Sequence, residues 1–125
     1  LQQRKKGESK MSKFEFRNTE TSLDIEGKSF SIDMGLPETI KSFDGLKEAT
    51  MKLLDDIKEF QEKGKGDIEK MALTWCEAAK KAVNGFLGEG SYEQIFAGRT
   101  VNLIHHLDLL SYIVSEINQS EKRLY

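Results

Sequence analysis

The stretch that decides the fold is residues 86–99, FLGEGSYEQIFAGR, where glycines interrupt a chain rich in helix-forming residues. Gly88 and Gly90 suit the backbone conformations at which helices end, and a side chain would be penalised there. Ser91 and Gln94 have the S-x-x-Q spacing of a capping box, which starts a new helix. We therefore predict a structural corner, with a short helix over residues 91–97. The corner residues are Gly88, Gly90, Ser91, Tyr92 and Phe96.

Two long helices are predicted before this corner. Pro37 suits the first turn of a helix, and apolar residues then recur every three or four positions along residues 43–60. The sequence KGKGD ends this helix, and Asp67 is a good N-cap for the next one. The expected helices span residues 37–63 and 67–87 and form a helical hairpin.

The helix predicted after the corner, over residues 100–120, is apolar around most of its circumference. Such a helix is either central to the core or shared with another chain. We assign one stripe to the core and a flanking group to contact with a partner or another subunit; the alternative is that all of these residues are core. The stripe is Leu103, Leu107, Leu110, Val114 and Ile117, and the flanking group is Ile104, Leu109, Tyr112 and Ile113.

Residues 13–33 alternate between apolar and polar side chains, which is typical of β-strands. Phe14 and Phe16 begin the pattern, and it continues on both sides of the turn EGKS. We predict a small β-hairpin or meander, whose apolar face needs a cover because a two-stranded ribbon is marginal alone. The basic residues 1–10 are expected to be an appended or flexible segment, and residues 11–125 a single domain.

The predicted fold class is therefore α+β and mainly α, with the hairpin packed on a bundle of three main helices plus one short helix. With 125 residues, 38% of them hydrophobic and 32% charged, the composition is that of one soluble domain. The net charge of −2 provides no general basic surface, so nucleic-acid binding is not expected. No apolar run approaches the roughly 20 residues of a membrane span, and no signal peptide is evident, which favours a cytoplasmic location.

No candidate active site, cofactor site or metal site is found in the sequence. His105 and His106 are adjacent, so on a helix their side chains point about 100° apart and do not easily share one ion. We expect a capped or surface histidine pair. The carboxylates of residues 55–62 favour ion pairs on a solvated helix face, and GEGS lacks the lysine of a phosphate-binding loop. Cys76 is the only cysteine, which excludes an internal disulfide and is typical of a buried small apolar residue.

Residues 12–120 resemble the small tail assembly chaperones of long-tailed phages and prophages of Gram-positive bacteria. The resemblance rests on the order of a short β segment, FEFRNTETSLDIEGKSFSIDMG, a charged helix, and WCEAAKKAVNGFLGEGSYEQIFAGRTVNLIHHLDLLSYIVSEI. The block FLGEGSYEQIFAGR is its most specific part.

This resemblance implies a non-enzymatic binding role during tail morphogenesis. Proteins of this kind coat the aggregation-prone tape measure protein, in many phages help to bring tail tube subunits to it, and are absent from the finished virion. A homo-oligomer is expected. Two other classes stay open: a regulatory module that binds nucleic acid through the basic residues 1–10, and a small enzyme. Salt-dependent binding that needs this segment would indicate the former, and a concave site with convergent polar groups the latter.

Overall fold

The computed structural model describes residues 11–124, so the predicted basic segment 1–10 lies outside the described residues. In chain order the elements are β1 (Glu20–Ile25), β2 (Lys28–Asp33), α1 (Pro37–Lys63), α2 (Ile68–Leu87), α3 (Ser91–Ile95) and α4 (Leu103–Leu124). The predicted fold class is confirmed: in this part of the chain, a two-stranded antiparallel hairpin accompanies three long helices and one short one.

Helices α1 and α2 form an antiparallel hairpin because their ends are well defined and their apolar faces match. Gly64 ends α1 in the left-handed conformation, with φ 60°, and its N–H donates to the Phe60 carbonyl oxygen. The Asp67 carboxylate caps α2 by accepting hydrogen bonds from two backbone N–H groups in its first turn. Phe60 and Trp75 meet edge to face between the helices, with ring centroids 5.6 Å apart.

The corner has the backbone that its glycines allow, but its helix is not capped as predicted. Gly88 has φ 112° and ψ 152°, and Gly90 has φ 87°. The capping-box prediction for Ser91 and Gln94 is wrong: Gly90 occupies the N-cap position, and Ser91 is the buried first residue of α3. The helix begins there because Gln94 donates its backbone N–H to the Gly90 carbonyl oxygen, and it ends at Ile95.

The hairpin closes through a two-residue turn at Glu26 and Gly27, both of which have positive φ. Leu23 pairs with Phe30 on the face that packs against the helices, and Leu23 is fully buried. The prediction that strand structure begins at residue 13 is wrong, because Phe14 and Phe16 precede β1 and are exposed. The Thr21 and Ser120 hydroxyls, 2.6 Å apart, join β1 to the end of α4.

Helix α4 begins three residues later than predicted and runs past residue 120. Its start follows Asn102, whose side-chain oxygen accepts a hydrogen bond from the backbone N–H of His105 at 3.2 Å. Thr100 therefore lies in the connection from α3. Contacts with α1, α2 and β1 place α4 at the centre of the fold.

Candidate functional site

The residues predicted for partner contact divide into two buried and two exposed side chains. Leu109 and Ile113 belong to the core, so their assignment to a partner surface is corrected. Ile104 and Tyr112 are exposed. The reason is that the buried face of α4 is not the predicted one. Contacts with β1 and α2 bury the side of the helix that carries Ile113. The predicted stripe residues Leu103, Leu107 and Val114 are only partly buried.

A recess with a mainly apolar surface runs between α1 and α4, and we call it the α1–α4 groove. It has a volume of about 540 Å³. Met51 and Leu54 of α1 line it with 65% and 45% of their surfaces exposed, and Val114 lines it from α4. The sequence carried a signal for this groove, because Met51 and Leu54 are apolar but lie off the buried seam of α1.

The charged side chains that line the α1–α4 groove are both lysines, Lys47 and Lys122. Lys47 lies 3.6 Å from a carboxylate oxygen of Asp44 and 4.8 Å from the centre of the Phe43 ring, which holds its stem beside α1. The other polar side chains of the groove are uncharged: Thr50, Ser111, Ser115, Asn118 and Gln119. The groove thus combines apolar side chains with uncharged polar ones, and the charge that its lining carries is positive.

A second, smaller cleft of about 340 Å³ lies between the hairpin turn, the corner and α4. Tyr112 lines it and donates its hydroxyl to the backbone carbonyl oxygen of Asp24 at 3.2 Å. Arg99 forms an ion pair with Glu26 across the cleft, and His105 lines the opposite wall. The tyrosine hydrogen bond holds the hairpin turn against α4, and the ion pair holds it against the connection between α3 and α4.

The sequence predicts a capped or surface histidine pair; His106 is buried, so the surface alternative is wrong for this residue. Its Nδ1 lies 2.7 Å from the carbonyl oxygen of Asn102, so Nδ1 carries the hydrogen, and Nε2 accepts from the Tyr92 hydroxyl at 2.7 Å. Burial raises the pKa of Tyr92, which keeps this donor protonated at neutral pH. The imidazole stacks on Phe96 with centroids 4.4 Å apart, so it joins the corner to α4.

The corner also contacts α2 directly. The backbone N–H of Tyr92 donates to the side-chain oxygen of Asn84 at 2.8 Å, and Ile95 is buried in the core. Tyr92 and Phe96 are partly buried against the same core. The corner therefore fills the space between α2 and α4.

Reactive side chains are few in the described part of the chain. Residues 11–124 contain no group of three or more His, Cys, Asp or Glu side chains that could hold a metal ion. Burial, with a smaller contribution from the Glu77 carboxylate, raises the pKa of the Cys76 thiol, which makes it a poor nucleophile at neutral pH.

The fold and its surfaces define a small α+β protein in which one apolar groove separates two helices. Residues 26–125 match the model of a family of unknown function, DUF6673, and the chain belongs to this family. No curated protein and no solved structure matches the chain. Within residues 11–124, none of the helices combines the length and the apolar character that crossing a membrane requires.

Proposed function

We propose that this protein is a non-enzymatic tail assembly chaperone of a phage or prophage. Its client is the tape measure protein, with tail tube subunits as a further partner during tail morphogenesis. The resemblance of residues 12–120 to such chaperones motivates the proposal, and the α1–α4 groove is the observation that carries it. In this proposal the protein acts in the cytoplasm of the bacterial host and is absent from the mature virion.

The groove has the form that an added helix needs. A recess between two helices accepts the apolar side of a third helix. The residues of the ligand that enter the recess then recur every three or four positions. Met51 supplies a flexible, polarisable side chain that adapts to different neighbours. A groove of this kind suits a client whose apolar side chains vary from one repeat to the next.

The positive charge of the two groove lysines restricts which client helices can bind in the groove. Lys47 and Lys122 favour a helix with carboxylates beside its apolar stripe, and repel one with lysines there. Contacts of this size are weak individually, and a long client with many such segments holds several chaperone copies at once. Client coating then needs no energy source.

Co-expression with the tape measure protein from the same genome tests the proposal. The double variant Met51→Glu and Leu54→Glu places two carboxylates in the groove at exposed positions, so the chain should stay folded while the client becomes insoluble. Gln61→Glu is the matched control, because it adds the same type of charge at an exposed position of α1 outside the groove. Circular dichroism checks the fold of each variant.

Tyr112→Glu tests, in the same assay, the cleft between the hairpin turn, the corner and α4, which Tyr112 lines. Leu109→Glu does not, because Leu109 is buried and its replacement is expected to unfold the chain. Folded groove variants that still protect the client would place binding outside the α1–α4 groove. A wild-type chain that fails to keep the tape measure protein soluble would overturn the proposed function itself.

A further inference from the structure

The segment just before the hairpin has the pattern of a β-strand without being one. Residues 13–17, KFEFR, alternate charged and aromatic side chains, and we call them the arm. Phe14 and Phe16 are 75% and 91% exposed, and their rings meet edge to face with centroids 4.8 Å apart. Both rings therefore lie on one side of the arm, as alternate residues of an extended strand do.

The reason the arm is not in the sheet lies in the path of β2. Strand β2 ends at Asp33, the backbone N–H of Leu36 bonds back to the Asp33 carbonyl oxygen, and α1 begins at once. The Thr19 hydroxyl donates to the Asp33 carboxylate at 2.6 Å, which holds residue 19 beside the end of β2. Before residue 19 the chain has left the end of β2, so β2 cannot pair with the arm.

The outer edge of β1 offers some of the groups that such a strand would need, although the Asp24 carbonyl oxygen already accepts from the Tyr112 hydroxyl at 3.2 Å. Ile25 and Lys28 close a two-residue turn, so alternate residues of β1, namely Glu20, Ser22 and Asp24, direct their backbone groups away from β2. In the described chain the sheet has two strands only, and no strand covers this edge. The Glu20 N–H bonds instead to the Asn18 side chain at 3.0 Å.

We propose that the arm pairs antiparallel with the outer edge of β1 in a second copy of this chain. In the matching register Phe14 lies opposite Leu23 of the second copy and Phe16 opposite its Thr21, so both rings join the buried face of the hairpin. Lys13 then lies opposite Asp24 on the solvent face, which is a favourable cross-strand pair. Glu15 lies opposite Ser22.

A two-fold axis between residues 18 and 19 maps this register onto itself only where the strand is interrupted, because Phe14 and Leu23 would lie on opposite faces of an unbroken strand. The hydrogen bond from the Glu20 N–H to the Asn18 side chain lies at this interruption. Because the arm leads directly into β1, placing one arm on the second copy also places the second arm on the first copy. This is the self-complementary geometry of an isologous dimer. In this dimer the two hairpins, each marginal alone, form one four-stranded sheet. The outer edge of each β1, which is exposed in the single chain, is then paired.

Pairing of the arm with its own β1 is the competing arrangement. It would need Asn18 and Thr19 to form a tight two-residue turn, either of type I′, in which both have positive φ, or of type II′, in which Asn18 does. Neither residue has positive φ in the described structure. Thr19 is instead held to Asp33 at the end of β2. The geometry therefore favours the second copy.

Cross-linking between two different variants tests the proposal, each with one introduced cysteine in a Cys76→Ala background. Purified Glu15→Cys and Ser22→Cys chains are mixed in equal amounts and treated with a short bismaleimide reagent. The mixture should give a covalent species of twice the 14.2 kDa chain mass, well above the yield of either variant alone. A link within one chain is impossible in this mixture.

Ser29→Cys is the matched control for the edge, because Ser29 lies on β2 opposite Asp24 and is exposed. Mixing it with Glu15→Cys should give no more product than the single variants. Preferential linking to Ser29→Cys would overturn the proposed edge, and the absence of product with Ser22→Cys would overturn the pairing. A Glu15→Cys, Ser22→Cys double variant that links only within one chain would establish the fold-back arrangement instead.

Sedimentation of the unmodified protein provides an independent measurement. Wild type should sediment with twice the chain mass, and Phe14→Ser, Phe16→Ser should halve this mass while the helical circular dichroism signal is unchanged. Met11→Ser is the control, because Met11 is an exposed apolar residue before the arm. Wild type that sediments as a single chain at tens of micromolar, or a double variant that keeps the dimer mass, would refute the proposal.

Discussion

Replacing Gly88 by alanine should destabilise the protein through the backbone alone. Gly88 has φ 112° and ψ 152°, a region of backbone conformation that is essentially reserved for glycine. A Cβ added there has Ser91 Oγ as its nearest neighbour at 3.8 Å, which is an ordinary contact. The cost of the substitution is therefore conformational strain rather than a clash.

The expected magnitude follows from two opposing terms. Holding a non-glycine residue in such a region costs about 1 to 3 kcal/mol. Removing a glycine also restricts the unfolded chain, which returns about 0.4 to 1 kcal/mol. The two ranges combine to a net loss between about 0 and 2.6 kcal/mol, with a central value of about 1.3 kcal/mol. This central value corresponds to a fall in Tm of about 4 to 6 °C for a chain of this size. Valine at the same position should cost more, because its side chain is β-branched.

Differential scanning calorimetry measures this difference, with Gly85→Ala as the matched control. Gly85 lies three residues earlier, inside α2, and a Cβ there meets nothing within 4 Å. Its replacement should raise stability by about 0.5 to 1 kcal/mol, since alanine is the better helix former. A Gly88→Ala protein that melts at the wild-type temperature, or higher, would refute the assignment of strain to this corner.

Three further predictions concern stability. Phe30→Ser should lower the free energy of unfolding by about 2 kcal/mol, since Phe30 is partly buried against the core, and urea denaturation measures this loss. Tyr92→Phe leaves Nε2 of the buried His106 without its donor, which should cost about 1 to 3 kcal/mol in the same assay; an unchanged midpoint would contradict the hydrogen bond. The hydrogen bonds from Thr19 and Gly35 lower the pKa of Asp33. The ionised carboxylate should therefore stabilise the fold fully at pH values above the usual carboxyl pKa, and this contribution should be lost as the pH falls through the lowered pKa. Acid denaturation of Asp33→Asn should lack this pH-dependent component.

The helices were predictable because local signals agreed with the final packing. Pro37, Gly64 and Asp67 fix the ends of α1 and the start of α2, and each acts within a single turn of helix. The start of α4 was missed because Asn102 competes with Thr100, and a cap is chosen by side-chain geometry that spacing alone does not specify. The strand prediction failed at Phe14 although residues 13–17 alternate as a strand does. A strand also needs a partner strand, and β2 ends at Asp33, before it could pair with these residues.

The surface was harder to predict than the core. On α4 nearly every face is apolar, so only the positions of β1 and α2 decide that Ile113 is buried while Ile104 is exposed. His106 carries no sequence signal of burial, since its hydrogen bonds come from Tyr92 and Asn102 across the corner. Met51 could have been found, because it is apolar and lies off the seam of its own helix.

The hydrogen bond between Thr21 and Ser120 has a consequence for synthesis on the ribosome. The two residues are 99 positions apart, so at roughly 5 to 20 residues per second the hairpin waits about 5 to 20 s for the helix it docks on. During that interval the side chains of Leu23 and Ile25 have no α4 to cover them. The strands that are synthesised first thus dock late in synthesis. A pause in the translation of α4 would lengthen the time for which the apolar face of the hairpin is uncovered.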